Sequence, residues 1–396
     1  MSDVTLIGNT LNTMGGGERV TAHMLMALKE TGHYVTLRTW DRPDFDKIDP
    51  MFHGVITLSN FVDTVEPLGL NFIQLGNVRE TDVLSWLRRS HQLYKGDALV
   101  VNSQGNTVPA YSHISYIHFP TFALLHPALK EIADQHLSAY VSSNRDSMMM
   151  RVRQFLYKNL LERSIKVLAN STFTKKYLDR VVSAETGVLY PPVEVEEISR
   201  AAGVMGDRED LVLTISHIRR DKRLELVPEI ASRVEGARFH VVGHPHDTEY
   251  HHELVQLTKK LGIEDRVSFE TDFDRSDLLD ILVKAKVYLH TMPYEHFGIS
   301  PVEAMAAGLV PVVHRSGGPY HDILDGKQGI YGYAYEGVIE AVDQIEKLLH
   351  EESLRTEIAE KCMERSKFFS SPFFRKGLNS TVDCAKALMR DEVDHG

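Results

Sequence analysis

The stretch Tyr294-Glu295-His296-Phe297-Gly298-Ile299-Ser300-Pro301-Val302-Glu303-Ala304-Met305-Ala306-Ala307-Gly308 constrains the fold of this chain more than any other. It follows Val287-Tyr288-Leu289-His290, an apolar run that reads as a strand. Ser300 reads as the N-cap of a short helix, its hydroxyl accepting from a first-turn amide. Pro301 then fits the first helical position, where a missing N–H costs nothing. Gly308 supplies the left-handed residue that stops the helix. A strand, a glycine-bearing loop and a helix N-terminus together build an anion site. The amides of Gly298, Ile299 and Ser300 are expected to point at one ligand oxygen, with the helix dipole behind them.

Two acids, Glu295 and Glu303, bracket this site. Carboxylates repel phosphate but accept well from sugar hydroxyls. Acids flanking an anion site therefore suit a nucleotide sugar, with hydroxyls on either side of its diphosphate. A second reading stays open: Ser300-x-x-Glu303 is also a capping box, with Glu303 folded back on its own helix.

A chain of 396 residues suggests two domains. The net charge of −11 argues against nucleic acid as a bulk partner. No apolar run reaches the length of a membrane span, and Met1-Ser2-Asp3-Val4 has no basic, apolar leader, so no signal peptide is expected. Cys362 and Cys384 are the only cysteines, which fits a reducing cytoplasm without a disulfide or zinc framework. Asn170-Ser171-Thr172 reads as a helix cap rather than a glycosylation site.

From the N-terminus, Val4–Gly8 reads as a buried strand. The glycines Gly15, Gly16 and Gly17 follow, then a helix over about 18–29. The glycines form either a tight turn or a close backbone approach to a ligand. Strands are predicted at 34–38, 54–58, 71–75 and 98–102, with 42–50 a loop. Ile114–Ile117 is a strand that ends at His118 before Pro120. A histidine there sits where α/β ligands bind, although from the residues alone a buried, hydrogen-bonded core histidine is the expected reading. Residues 147–167 form a basic amphipathic helix, which suits either an anionic membrane or packing on the domain. The diproline Pro191-Pro192 reads as an interdomain connection, with a strand before it and an acidic surface loop over 194–209.

The second half opens with the strand Leu211–Ser216. His217-Ile218-Arg219-Arg220-Asp221-Lys222-Arg223 follows, and its cations at a strand end either clamp a diphosphate or solvate a turn. The histidines 244, 246, 251 and 252 match no standard metal-ligand set, so no metal is expected. Asp44-Phe45-Asp46 and Asp272-Phe273-Asp274 read as loop or cap residues rather than metal-binding pairs. Strands are predicted at 239–243, 267–269 and 310–313, helices at 276–286, 340–350, 353–368 and 373–389, and a turn at Ser316-Gly317-Gly318-Pro319.

Several of these motifs share one resemblance. Glu295 and Glu303 within Glu-His-Phe-Gly-Ile-Ser-Pro-Val-Glu-Ala-Met-Ala-Ala-Gly resemble the signature of the retaining GT-B glycosyltransferases of family 4. Gly-Gly-Gly-Glu-Arg-Val at 15–20, Tyr-x-His-x-Pro at 116–120 and Arg-x-x-Lys at 219–222 are similar to further motifs of that family, and of its GDP-mannose-dependent members in particular. The resemblance implies an α/β, GT-B fold: two doubly wound Rossmann-like domains facing across a cleft. It implies an acceptor-side domain over 1–190, a donor domain over 191–372, and a terminal helix, 373–396, crossing back to the first. Gly16 and Gly17 would face the donor phosphate or the acceptor, and His118 would lie near the donor sugar and the acceptor hydroxyl. Arg219 and Lys222 would contact the donor phosphates. Glu303 would bind the ribose and Glu295 the hexose or the nearby phosphate region, while Phe297, Gly298, Ile299 and Ser300 complete the donor loop. The catalytic set would be His118, Arg219, Lys222 and Glu295. No cofactor or metal would be needed beyond the co-substrate, GDP-mannose.

The reaction implied is hexosyl transfer with retention to a glycan or lipid-linked acceptor. The protein would be cytoplasmic, and peripheral on the inner membrane face if the basic helix near 148–167 touches lipid. A UDP-sugar transferase would carry nearly the same motifs. A nucleotide-sugar 2-epimerase of the same fold, and a non-catalytic sugar-nucleotide-binding partner, are the other classes open to this sequence.

Overall fold

The computed structural model describes residues 3–13, 15–51, 57–69, 72–75, 78–81, 98–123, 126–130, 132, 148–203 and 208–394. The chain divides into two compact units, Met1–Pro192 with Ser371–Gly396, and Val193–Ser370.

The first unit is built on seven parallel strands: β1 (Asp3–Ile7), β2 (Tyr34–Thr39), β3 (Thr64–Pro67), β6 (Leu99–Asn102), β7 (Ile114–Ile117), β8 (Lys166–Ala169) and β9 (Thr186–Val188). A separate antiparallel hairpin pairs β4 (Phe72–Leu75) with β5 (Val78–Thr81). The main sheet runs in the order β3-β2-β1-β6-β7-β8-β9. Strand order therefore reverses between β1 and β6, the switch point at which open α/β sheets bind ligands. Strands β6 and β7 are buried along their whole length, as expected where both faces are covered.

The helix Gly16–Glu30 covers one face, with an unbroken buried run from Val20 to Leu28. The terminal helix Ser371–Asp394 packs on it, burying Phe374, Leu378, Val382 and Ala385 in the same core. Each large apolar side chain so buried contributes about 1.5–3 kcal/mol. The long terminal helix is thus an integral wall of the first unit.

The second unit carries β10 (Leu211–Ile215), β11 (Arg238–Val242), β12 (Val267–Glu270), β13 (Val287–His290), β14 (Val310–His314) and β15 (Tyr333–Tyr335). All are parallel, in the order β12-β11-β10-β13-β14-β15, and the switch point lies between β10 and β13. The fold is α/β with two doubly wound Rossmann-like units.

The local readings fail in a few places. Residues 52–56 of the strand predicted at 54–58 lie outside the described residues; Leu58 opens a short 3-10 helix, and the strand comes later, at Thr64–Pro67. The loop predicted over 42–50 contains the helix Phe45–Met51. The acidic stretch after the diproline contains a helix, Val195–Ala202. Its Glu, Arg and Ala residues favour helix, and Val195 and Ile198 point one face inward. The strand before the diproline ends at Val188, ahead of its predicted place. Ser171 caps the helix Thr172–Leu178 by accepting from the Thr174 amide, and Asp274 caps Arg275–Lys284 within a full capping box.

Candidate active site

In the second unit the residues after β10 and after β13 meet at the switch point. A 3-10 turn, Arg220–Lys222, follows β10, with Arg223 left-handed at its end. Thr291 Oγ1 donates to the Lys222 carbonyl at 2.6 Å and ties this turn to the end of β13. The Lys222 ammonium then reaches Glu295 Oε2 at 2.6 Å and Met292 Sδ at 3.1 Å. The other carboxylate oxygen of Glu295 accepts from the His296 amide at 3.1 Å. Both charged side chains are largely withdrawn from solvent, Lys222 at 18% and Glu295 at 15% exposed. Burial pushes the Glu295 carboxyl up. The Lys222 charge and hydrogen bond, with His290 and His296 nearby, outweigh that and hold it well below the usual carboxylate range. Glu295 is therefore an anion at any neutral pH.

The loop that carries Glu295 is held from beneath by the turn after β14. The Gly318 amide donates to the Glu295 carbonyl at 2.7 Å, and the Tyr294 amide donates to Ser316 Oγ at 2.8 Å. A side chain at Gly318 would stand 2.5 Å from both the His296 carbonyl oxygen and Phe297 Cα. The glycine is required for this backbone-on-backbone contact.

The helix after the loop runs Ile299–Ala306, and its N-cap is Gly298 at φ +93°. Only glycine adopts that backbone readily. Ser300 is therefore not the cap: it lies in the first turn, and its Oγ accepts from the Tyr288 hydroxyl at 2.7 Å. Pro301 is the third helical residue, two positions deeper than predicted, and no side chain caps the helix. The first-turn amides of Ile299 and Ser300 have no intrahelical acceptor by geometry, which preserves the anion-binding character of this end.

Two further residues of this loop and helix are engaged within the unit. The Phe297 ring is 2% exposed and packs edge-on against Phe369 at 5.5 Å, so this residue offers a ligand its backbone, not its ring. Glu303 makes no capping box. It is buried, with Oε1 facing Arg275 Nη1 at 3.4 Å, while Arg275 Nη2 donates to Glu197 Oε2 at 2.8 Å. Arg275 lies just ahead of the helix predicted at 276–286, and no local signal marks it as the partner of Glu303. Arg219 is engaged by Asp221 through both its Nε and Nη2, at 2.5 and 2.6 Å.

The first unit gathers a smaller cluster at its own switch point. Gly17 stands against Gln104 and His118; a side chain there would meet Gln104 Nε2 at 2.9 Å and His118 Nε2 at 3.6 Å. His118 Nε2 lies 3.1 Å from the Ser103 carbonyl, which only a protonated nitrogen can approach as a donor. Nδ1 is then the acceptor. Burial lowers the His118 pKa, partly offset by that carbonyl, to about 4. The ring is neutral at physiological pH and suits accepting a hydroxyl's hydrogen bond through Nδ1. Gly16 begins the helix Gly16–Glu30 and is exposed. Gln104 carries no motif and was not singled out from sequence. Among the described residues, no three histidine, cysteine or acidic side chains gather as a metal site.

Residues 195–365 match the model of the family Glycosyl transferases group 1. That match spans nearly all of the second unit, and two doubly wound Rossmann-like units are the GT-B fold. The chain is 24% identical over 412 residues to GDP-Man:Man(3)GlcNAc(2)-PP-Dol alpha-1,2-mannosyltransferase of Dictyostelium discoideum, across 91% of this chain and 80% of that protein. It is 31% identical over 250 residues to the enzyme of the same name from Neurospora crassa, across 53% of this chain and 45% of that one. Among solved structures, Anabaena HepE in complex with UDP-glucose superimposes with a TM-score of 0.69 at 17% identity, over 97% of this chain and all of that one.

Proposed function

We propose that this protein is a retaining, metal-independent mannosyltransferase that takes mannose from GDP-mannose and passes it to a glycan on a lipid carrier. The observation that carries the reading is the Lys222–Glu295 pair at the switch point, beside a helix N-terminus with free first-turn amides. Lys222 and those amides suit a diphosphate. A glycosidic bond that breaks toward the nucleotide leaves negative charge on that diphosphate, so a fixed cation there stabilises the transition state more than the ground state. Arg219 adds a second cation once it leaves Asp221. Glu295 accepts from hexose hydroxyls, and Glu303, oriented by Arg275, accepts from the ribose. From the first unit, His118, Gly16 and Gly17 serve as substrate contacts. The donor and the lipid-linked acceptor follow the names of the two relatives.

The test is a thermal-shift panel of GDP, UDP, ADP and dTDP, each with and without its common sugars and with no added metal. A ligand that binds only the folded state raises its melting temperature, by an amount equivalent to about 2.7 kcal/mol at a hundredfold excess over Kd. GDP and GDP-mannose are expected to give the largest shifts. A response to UDP compounds alone would replace mannose transfer with UDP-sugar transfer, the reading the UDP-glucose complex of HepE favours. Turnover of a nucleotide sugar without any acceptor would make the protein an epimerase. No response to any nucleotide would leave a non-catalytic partner.

We place the protein in the cytoplasm, peripheral on the inner membrane face. Among the described residues no helix is long and apolar enough to cross a bilayer. The helix Met148–Leu161 buries Tyr157 and Leu161 while leaving Phe155 65% exposed beside Arg151 and Lys158. An exposed aromatic ring among cations suits an anionic lipid surface. Phe155→Ala is expected to reduce co-sedimentation with phosphatidylserine vesicles several-fold and to leave that with neutral vesicles unchanged. Equal sedimentation of the two proteins would remove this helix from membrane contact.

A further inference from the structure

The Lys222–Glu295 pair has a third member that the reading above does not use. His290 ends β13 and is 6% exposed. Its Nε2 stands 3.9 Å from Glu295 Oε2, the same oxygen that Lys222 holds at 2.6 Å. That gap is too long for a hydrogen bond. On the far side of the ring, Nδ1 is buried and has no hydrogen-bond partner among the described residues. The His290 main chain is fixed, because the Tyr335 hydroxyl donates to its carbonyl at 3.0 Å. A buried imidazole thus waits beside a carboxylate that already has a cation.

The charged and titratable groups facing His290 are Glu295 on the following loop, Lys222 on the turn after β10, and His314 at the end of β14. Burial lowers the His290 pKa most, Glu295 pulls it back up, and Lys222 and His314 push it down again, leaving it at about 4. The ring is neutral while Lys222 remains in place.

We propose that His290 is a positioning residue that takes over Glu295 when Lys222 turns to the donor's diphosphate. This inference rests on the reading of Lys222 as a phosphate contact. A diphosphate draws the ammonium off Glu295, leaving a buried carboxylate without its cation, a strongly unfavourable arrangement. His290 removes that cost by taking one proton from solvent and donating through Nε2 to Glu295 Oε2. No other bond forms or breaks: the carboxylate keeps its charge, and imidazole becomes imidazolium. Glu295 is then held in place by a group that makes no demand on Lys222, and its free lone pairs face the hexose. The protein takes up a proton with each donor bound, so affinity rises as pH falls toward the ordinary histidine range.

Isothermal titration of GDP-mannose, and of UDP-glucose in parallel, in buffers of different ionisation enthalpy tests this. Both phosphates of a nucleotide sugar are esterified and stay ionised near neutrality, so the ligand brings no proton change of its own. At about pH 6.5, the dependence of heat on buffer is expected to show uptake of roughly half a proton or more per donor bound. His290→Gln keeps a donor near Glu295 but cannot titrate, and is expected to bind with no proton uptake and a pH-independent Kd. Glu295→Gln, which removes the carboxylate, is expected to abolish uptake as well, and covers the case in which the buried His290 variant fails to fold. Binding by the wild type with no proton uptake would overturn the inference and leave the donor reading intact. Uptake that persists in either variant would also overturn it. No heat with either nucleotide sugar would overturn the donor reading and this inference together.

Discussion

Lys222→Ala is expected to lower turnover by about 10²–10³-fold, the usual cost of removing one preorganised group that stabilises charge in a transition state. It should also destabilise the fold. Lys222 and Glu295 are 18% and 15% exposed and 2.6 Å apart. Removing one partner of such a pair leaves a buried, uncompensated charge and costs about 3 kcal/mol, the low end for fully buried pairs. The two losses are separable. The double variant Lys222→Ala with Glu295→Ala no longer buries a lone carboxylate, so it should regain much of the melting temperature but none of the turnover. A double variant no more stable than Lys222→Ala would mean the pair is not what the single substitution breaks.

The pH dependence of stability follows from the same pair. The Glu295 carboxyl is held well below its ordinary value in the folded protein. A depressed carboxyl contributes stability above its unfolded pKa, about 4.3, and loses it as pH falls through the folded value. The stability gap between wild type and Lys222→Ala should therefore be full at neutral pH. It should narrow in acid below about pH 4. Denaturant unfolding at a series of pH values measures it, and a gap that widens in acid would contradict the assignment.

Glu303→Ala is expected to weaken donor affinity by roughly 10–100-fold, the scale of a lost hydrogen bond to a charged group. It should also cost up to about 3 kcal/mol of stability, because Arg275 stays buried and, of its ion pairs with Glu303 and Glu197, keeps only the second. Glu303→Gln keeps the shape and one acceptor oxygen, so it should retain most of the stability while still losing affinity. Nucleotide titration and denaturant unfolding together decide the matter. Wild-type affinity in Glu303→Ala, with only stability reduced, would make Glu303 a structural partner of Arg275 and nothing more.

Strand positions and the residue types of the loop were legible in the sequence because they are local. Val287–His290 is apolar and bounded by turn residues, and it is a strand. Lys222 and Glu295 were each marked by their charge at a strand end. Their pairing was not visible, since 73 residues separate them and only the placement of β10 beside β13 brings them together. The same holds for Arg275 and Glu303. Ser300 shows a different kind of failure. A serine before a proline is a sound helix start by local chemistry, yet the tyrosine twelve residues earlier claimed its hydroxyl and a left-handed glycine took the cap. Phe297 sits inside a ligand-binding motif, but its ring serves the core. His290 looked like the last residue of a strand because nothing in sequence distinguishes a buried imidazole from one beside a carboxylate.

The terminal helix has a consequence for how the protein is made. The second unit, Val193–Ser370, is contiguous, whereas the first is split between Met1–Pro192 and Ser371–Gly396. During synthesis the later unit is complete while the earlier one still lacks the wall that Phe374, Leu378, Val382 and Ala385 supply. Domains usually mature in the order they leave the ribosome. Here the order is inverted, and the part of the helix Gly16–Glu30 that the terminal helix covers stays open until residues 371–394 emerge. Chaperone dependence and sensitivity to premature termination should concentrate on that first unit.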